Sequence, residues 1–166
     1  ENGVKMIVSI SHAPSWLDPN HGIPTDTAPF RRLMEHLAER YRGKVQAWEI
    51  WNEQNLVWVP GQQVDVGRYV ELLKAGYQGV KAGDPNAIVL FGGLTPTGVM
   101  DPSIAIDDVE YLRRAYAYNN GEVKQYFDHL AAHPGSNQNP PDTMWPGNPG
   151  PGPGWQDHPS FYFRRV

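Results

Sequence analysis

The sequence predicts an α/β fold built on a parallel sheet, and three observations predict it. Short apolar runs rich in β-branched residues recur about every 40 residues, opening at Val4, Val45, Ala87 and Phe127. Stripes of helical period fill the intervals between them. Residues that packing does not require, Trp, Asn, His and Glu among them, follow the strands rather than precede them. Strands alternating with helices imply parallel pairing through crossover connections, and such folds bind ligands beyond the C-terminal ends of their strands.

Residues 4–10 (VKMIVSI) form the first buried strand. The segment after it, SHAPSWLDPNHGIP, is dense in turn formers. Thr27 or Asp26 caps a helix with Pro29 in its first turn. Phe30, Leu33, Met34, Leu37 and Tyr41 make one apolar stripe, and Gly43 ends it. Residues 45–51 are the second strand. Asp65 caps a second helix whose stripe is Tyr69, Leu72, Leu73, Gly76 and Val80, closed by Gly83-Asp84-Pro85. Residues 87–91 (AIVLF) are a third strand ending in Gly92-Gly93. A third helix runs over 108–119, with Asp108 as cap and Val109, Leu112 and Tyr116 inward, and stops at Gly121. Residues 127–132 (FDHLAA) are the fourth strand. Residues 134–159, half of them Pro or Gly, form a long loop whose Trp145 and Trp155 either plug the loop or wall a cleft. The spacing suits a (β/α) barrel as well as an open sheet.

Bulk properties narrow the function. The 166 residues suffice for one domain, with 40% hydrophobic and 19% charged residues, as in soluble globular chains. A net charge of -4, with acids and bases interspersed, argues against a nucleic-acid partner. No apolar run approaches the roughly 20 residues of a membrane helix. Without Cys there is no disulfide or thiolate chemistry. A dinucleotide fold needs a Gly-rich turn after its first strand, and Ser11-His12-Ala13-Pro14 stands there instead. No cofactor is expected. His129 and His133 have a spacing that on a helix suggests zinc, but on a strand they lie about 13 Å apart, so no metal is expected either. Both ends read as cut within larger patterns, which leaves localisation open.

The chemistry concentrates in AWEIWNEQN, residues 47–55. Glu53 falls where the second strand runs into its loop. Among Trp48, Trp51 and Trp58, desolvation would raise its carboxyl pKa toward a usable general acid. The Asn52 amide can grip a hydroxyl, and indole faces stack on sugar rings. Acid, amide and aromatic walls together describe carbohydrate chemistry. Glu49 shares strand parity with Trp51 and Glu53 if no bulge intervenes, and pairs with an Arg. Gly92-Gly93 reads as backbone crowding, Tyr69 and Tyr77 as packing, and Asp26 as a cap. Asp128 opens its strand and belongs on the opposite rim.

WEIWNEQN resembles the fourth-strand signature of the clan A glycoside hydrolases, the retaining (β/α)8 glycosidases. Within them it is most similar to the family 39-type β-xylosidases and bacterial cellulase-like proteins. Residues 4–11 with Ser15-Trp16 resemble the third barrel strand and its loop, and 87–93 the fifth. Residues 127–134 (FDHLAAHP) resemble the sixth, with Gly135 where relatives carry Tyr. The resemblance implies that residues 1–166 are a partial TIM-barrel domain covering units three to six. It implies that Glu53 is the general acid/base and that Asn52 contacts the sugar 2-hydroxyl. It places His133 near the site, and His12, Trp16 and Trp58 along the carbohydrate cleft.

Such enzymes need two carboxyl groups about 5 Å apart in retaining members. The relatives carry the nucleophilic Glu on a seventh strand that this chain lacks. The isolated chain is therefore expected to be inactive, and to pair with a missing barrel half or to self-associate. A non-catalytic carbohydrate-binding or pseudoenzyme module is the alternative, and an unrelated α/β protein the third.

Overall fold

The computed structural model describes residues 3–58, 61–135, 139–146 and 158–165. Among them, four parallel strands form one sheet in the order β1-β2-β3-β6: β1 Ile7–Ile10, β2 Ala47–Ile50, β3 Ile88–Leu94 and β6 His129–Ala132. Helix α1 (Ala28–Arg40) joins β1 to β2, and α2 (Val66–Gly83) joins β2 to β3. Between β3 and β6 lie a small antiparallel pair, β4 (Met100–Asp101) and β5 (Ala105–Ile106), then α3 (Asp108–Ala117) and a 3-10 stretch, Tyr118–Gln125. The alternation read from the sequence is present.

The two faces of the sheet differ. Val8, Trp48 and Val89 share one register row, and Ile10, Ile50, Phe91 and Leu130 another. Trp48, Ile50, Val89 and Phe91 in these rows are at most 2% exposed, in one core with Met34 of α1 and Tyr69, Leu72 and Leu73 of α2. Fully burying one such side chain contributes roughly 1.5–3 kcal/mol. The opposite face carries Ile7, which is 62% exposed, with Ser9, Glu49, Leu90 and His129 in one row beside it. Helices thus cover one face only among the described residues. Helices α1 and α2 approach closely because Gly79 and Gly83 lack side chains there. A Cβ at either would lie 2.3 Å from the carbonyl oxygen of Arg31 or Glu35.

Several expectations need correction. β1 starts at Ile7 rather than Val4, which is 83% exposed. Leu33 and Tyr41 of the α1 stripe are exposed, and Ala38 is buried in their place. The first four helical N–H groups need acceptors, and Asp26 Oδ1 takes that of Ala28 at 3.0 Å, while Thr27 makes no side-chain cap. Asp65 caps α2 through Arg68 N–H as expected. Asp107, not Asp108, caps α3, accepting from Val109 and Glu110. Leu112 and Tyr116 of α3 pack partly buried against the core as expected, but its fully buried residues are Tyr111 and Ala115, and Val109 is half exposed. The chain leaves α3 at Ala117 because Asn119, Asn120 and Gly121 take left-handed backbone. Residues 147–157, Trp155 among them, lie outside the described residues.

Candidate active site

The C-terminal rim of the sheet holds three of the six left-handed non-glycine residues among the described residues. His12 after β1, and Trp51 and Glu53 after β2, have φ of 63°, 70° and 50°. Left-handed backbone costs a non-glycine residue about 1–2 kcal/mol and persists only where surroundings fix it. The surroundings here are specific. Trp51 N–H donates to Ile10 carbonyl at 2.9 Å, and Glu53 N–H to Gly93 carbonyl at 2.9 Å. Ser9 Oγ donates to Trp51 carbonyl at 3.2 Å, and Trp58 Nε1–H to Glu53 carbonyl at 3.1 Å. The turn at Trp51 also breaks the strand alternation, so Glu49 does not share parity with Trp51, which is only 4% exposed.

Glu53 projects beside His133, just past the end of β6. His133 Nδ1 lies 3.0 Å from Glu53 Oε1, with the two side chains 34% and 25% exposed. The register between β3 and β6 shifts between Phe91 and Leu94. Such irregularities re-aim side chains at strand ends, and this one lets the His133 ring settle over Gly93. Asn52 is partly buried, and its amide makes no hydrogen bond among the described residues. Because His129–Ala132 is a strand, His129 and His133 do not share a helical face.

The other candidates gather on the β1 side. His12 stacks on Trp51 with ring centres 5.8 Å apart and meets Trp58 edge-on at 6.3 Å. Trp16 is 75% exposed and joins His12, Trp51, Phe30 and Leu33 around an apolar hollow of about 270 Å³. Neither Glu53 nor Asn52 lines that hollow. A second apolar groove of about 230 Å³ runs beside β6, along Phe91, Leu94, Leu112, Leu130 and His133. The two grooves flank the two edge strands. Trp48 belongs to the core, not to a wall around Glu53. Trp145 is half exposed.

Sequence reasoning missed how the Glu53 turn is fixed. Glu49 does not pair with an Arg; its Oε1 accepts Gly93 N–H at 2.9 Å. Gln54 Nε2 donates to Gly92 carbonyl at 2.8 Å. Asn55, fully buried, donates to Thr95 and Ile106 carbonyls and accepts Thr95 N–H, all within 2.9 Å. Tyr69 hydroxyl donates to Ile50 carbonyl at 3.1 Å and accepts Gly92 N–H at 2.8 Å, while burial drives its pKa far up. The signal was available: Gln54-Asn55 are two amides where a surface loop has no use for burial. Gly92 and Gly93 are crowded as expected, since a Cβ on either would lie under 3.0 Å from a neighbour.

The fold is that of a glycoside hydrolase-like mixed α/β protein with a parallel sheet. A solved structure described as a family 39 glycoside hydrolase from the gut symbiont Bacteroides cellulosilyticus WH2 superposes with a TM-score of 0.57 and 25% identity. The alignment covers 91% of this chain and 29% of that one, so the chain spans less than a third of that protein's length. No family model and no curated protein matches the sequence.

Proposed function

We propose that this chain is the middle part of a (β/α)8 barrel that hydrolyses β-glycosidic bonds with retention, and that Glu53 is its general acid/base. The observation that carries this reading is the 3.0 Å contact of His133 Nδ1 with Glu53 Oε1 at the C-terminal rim, beside the unbonded Asn52 amide. In this reading His133 donates its Nδ1–H to Oε1. Oε2, which has no partner among the described residues, carries the proton toward the leaving glycosidic oxygen. Once the bond has broken, the carboxylate accepts a proton from the attacking water. His133 keeps donating to the same oxygen in both states, so the carboxyl holds one orientation through the cycle. Asn52 grips the 2-hydroxyl, and His12, Trp16 and Trp58 face the carbohydrate.

The partial-barrel reading has its own support. Strands β1 and β6 are both edges among the described residues, and each borders an apolar groove of the kind a further strand and helix would fill. The open sheet face, with Ile7 and Leu90, is read as barrel interior. The nucleophile is assigned to the rest of the barrel, and the missing half, or a second copy, is the partner that covers both edges.

The test uses the protein extended by its flanking coding sequence. Glu53→Gln should lower kcat on aryl β-glycosides by about 10²–10⁴-fold, the usual worth of general acid–base catalysis, while sugar binding persists. The 166-residue chain alone should show no comparable turnover. Ordinary rates from the isolated chain of verified mass would refute the missing nucleophile. Unchanged hydrolysis by Glu53→Gln would refute the acid/base role. A binding module without turnover is the second reading, favoured by the exposed Trp16 face; it gains if the extended wild-type protein binds sugars and hydrolyses none.

A further inference from the structure

We infer that Gly93 is a positioning residue, whose missing side chain sets the His133 imidazole against Glu53. Three contacts meet at this glycine. Its N–H is held by Glu49 Oε1 at 2.9 Å, and its carbonyl accepts Glu53 N–H at 2.9 Å. Its Cα lies under the His133 ring: a Cβ there would come 2.6 Å from Cδ2, 2.6 Å from Nε2 and 3.1 Å from Cε1. Those ring atoms rest over the glycine while Nδ1 turns to Glu53 Oε1, 3.0 Å away. The glycine therefore touches both members of the pair, one through backbone and one through the space it leaves.

The ring has little freedom to give way. Ala132, just before it, pairs with Leu94, and Gly135 N–H closes back on His133 carbonyl at 2.7 Å. With the backbone held at both sides, a methyl at position 93 must rotate the imidazole away from its seat. A hydrogen bond at 3.0 Å weakens steeply once its length or angle departs from the normal range. Glu49 fixes the strand end from the other side, so the glycine cannot retreat without losing that carboxylate. The sequence signal was the Gly-Gly pair ending a buried strand, which reads as crowding without showing which ring does the crowding.

The placement of the imidazole stands on geometry alone; its catalytic consequence rests on the proposed role of Glu53. The experiment separates the two. In ¹⁵N-labelled wild-type chain, His133 should be mainly the Nδ1–H tautomer. Gly93→Ala should convert it to a majority of Nε2–H, matching Glu53→Ala. Gly135→Ala, whose Cβ meets only Pro96 at 3.6 Å, should leave the His133 signals in place. As a second readout, the loss of thermal stability caused by Gly93→Ala should shrink at least twofold in a His133→Ala background, because the clashing ring is gone. A wild-type His133 already in the Nε2–H form, an unmoved tautomer in Gly93→Ala, or equal destabilisation in both backgrounds would each overturn the inference. In the extended protein, Gly93→Ala should lower kcat at least tenfold with KM within twofold. Unchanged kcat with a displaced ring would leave the placement standing and remove the catalytic role given to the His133 contact, while Glu53→Gln reads the role of Glu53 itself.

Discussion

Two carboxylates stand at opposite rims of the same sheet, and they are held in opposite ways. Asp128, just before β6, points its Oδ2 at Lys81 Nζ and at Val89 N–H, both 2.8 Å away. Burial works to raise its pKa, but the Lys81 and Val89 hydrogen bonds prevail and hold it below the usual carboxylate range. Glu53, at the C-terminal rim, has no Lys, Arg or backbone N–H on its carboxyl among the described residues, only His133 on one oxygen. A permanent cation and a backbone donor commit a carboxyl to its charged form. The imidazole beside Glu53 is a single side-chain partner on one oxygen. The difference separates a carboxylate that closes a strand from one held by a single imidazole, the one to which the proposed proton transfer is assigned.

The comparison gives crossed expectations. Glu53→Gln should have the largest effect on activity, the 10²–10⁴-fold loss given above, yet change stability by no more than about 1 kcal/mol, because a partly exposed pair with a single contact contributes little. A variant that unfolds instead would show Glu53 to be as structural as Asp128. Asn55→Ala comes next. It strands one buried and two partly buried hydrogen-bonding groups and should cost roughly 2–4 kcal/mol by chemical denaturation. Values near zero would mean that the Glu53 turn is not welded to β3 and β5 as drawn. Asp128→Asn is the smallest, about 1–2 kcal/mol after allowance for partial exposure. Its pH dependence has a definite sign. A depressed folded-state pKa stabilises above the unfolded value near 3.9 and loses that contribution as pH falls through the folded value. Wild type should thus lose stability below about pH 4 more steeply than Asp128→Asn, with hydrolysis by the extended protein untouched by the substitution. Parallel acid limbs in the two melting series would contradict the Lys81 pairing.

The rim separation was legible in the sequence where local patterns govern. The alternation of runs and stripes, the Asp65 cap and the position of Asp128 before its strand all follow from periodicity and capping, which act over a few residues. The pairing of Glu53 with His133 spans 80 residues, and nothing local announces it. The family-like signature placed both near one site but gave no contact. The turn at Trp51 was misread because strand parity assumes regular φ, and a left-handed residue resets it. Glu49 was given an Arg because a strand carboxylate suggests an ion pair; a backbone N–H at the end of β3 serves instead. Val109 was turned inward beside Leu112 and Tyr116 because Val109 and Tyr111 are both apolar, and only the core decides which of the two turns in.

The most direct test of Glu53 as proton carrier is chemical rescue in the extended protein. Glu53→Ala should still be glycosylated by a substrate whose leaving group needs no acid, then stall for want of a base. Azide, a nucleophile that needs no deprotonation, should restore turnover and yield the β-glycosyl azide with retained configuration. Turnover by Glu53→Ala that matches wild type and ignores azide would contradict the account.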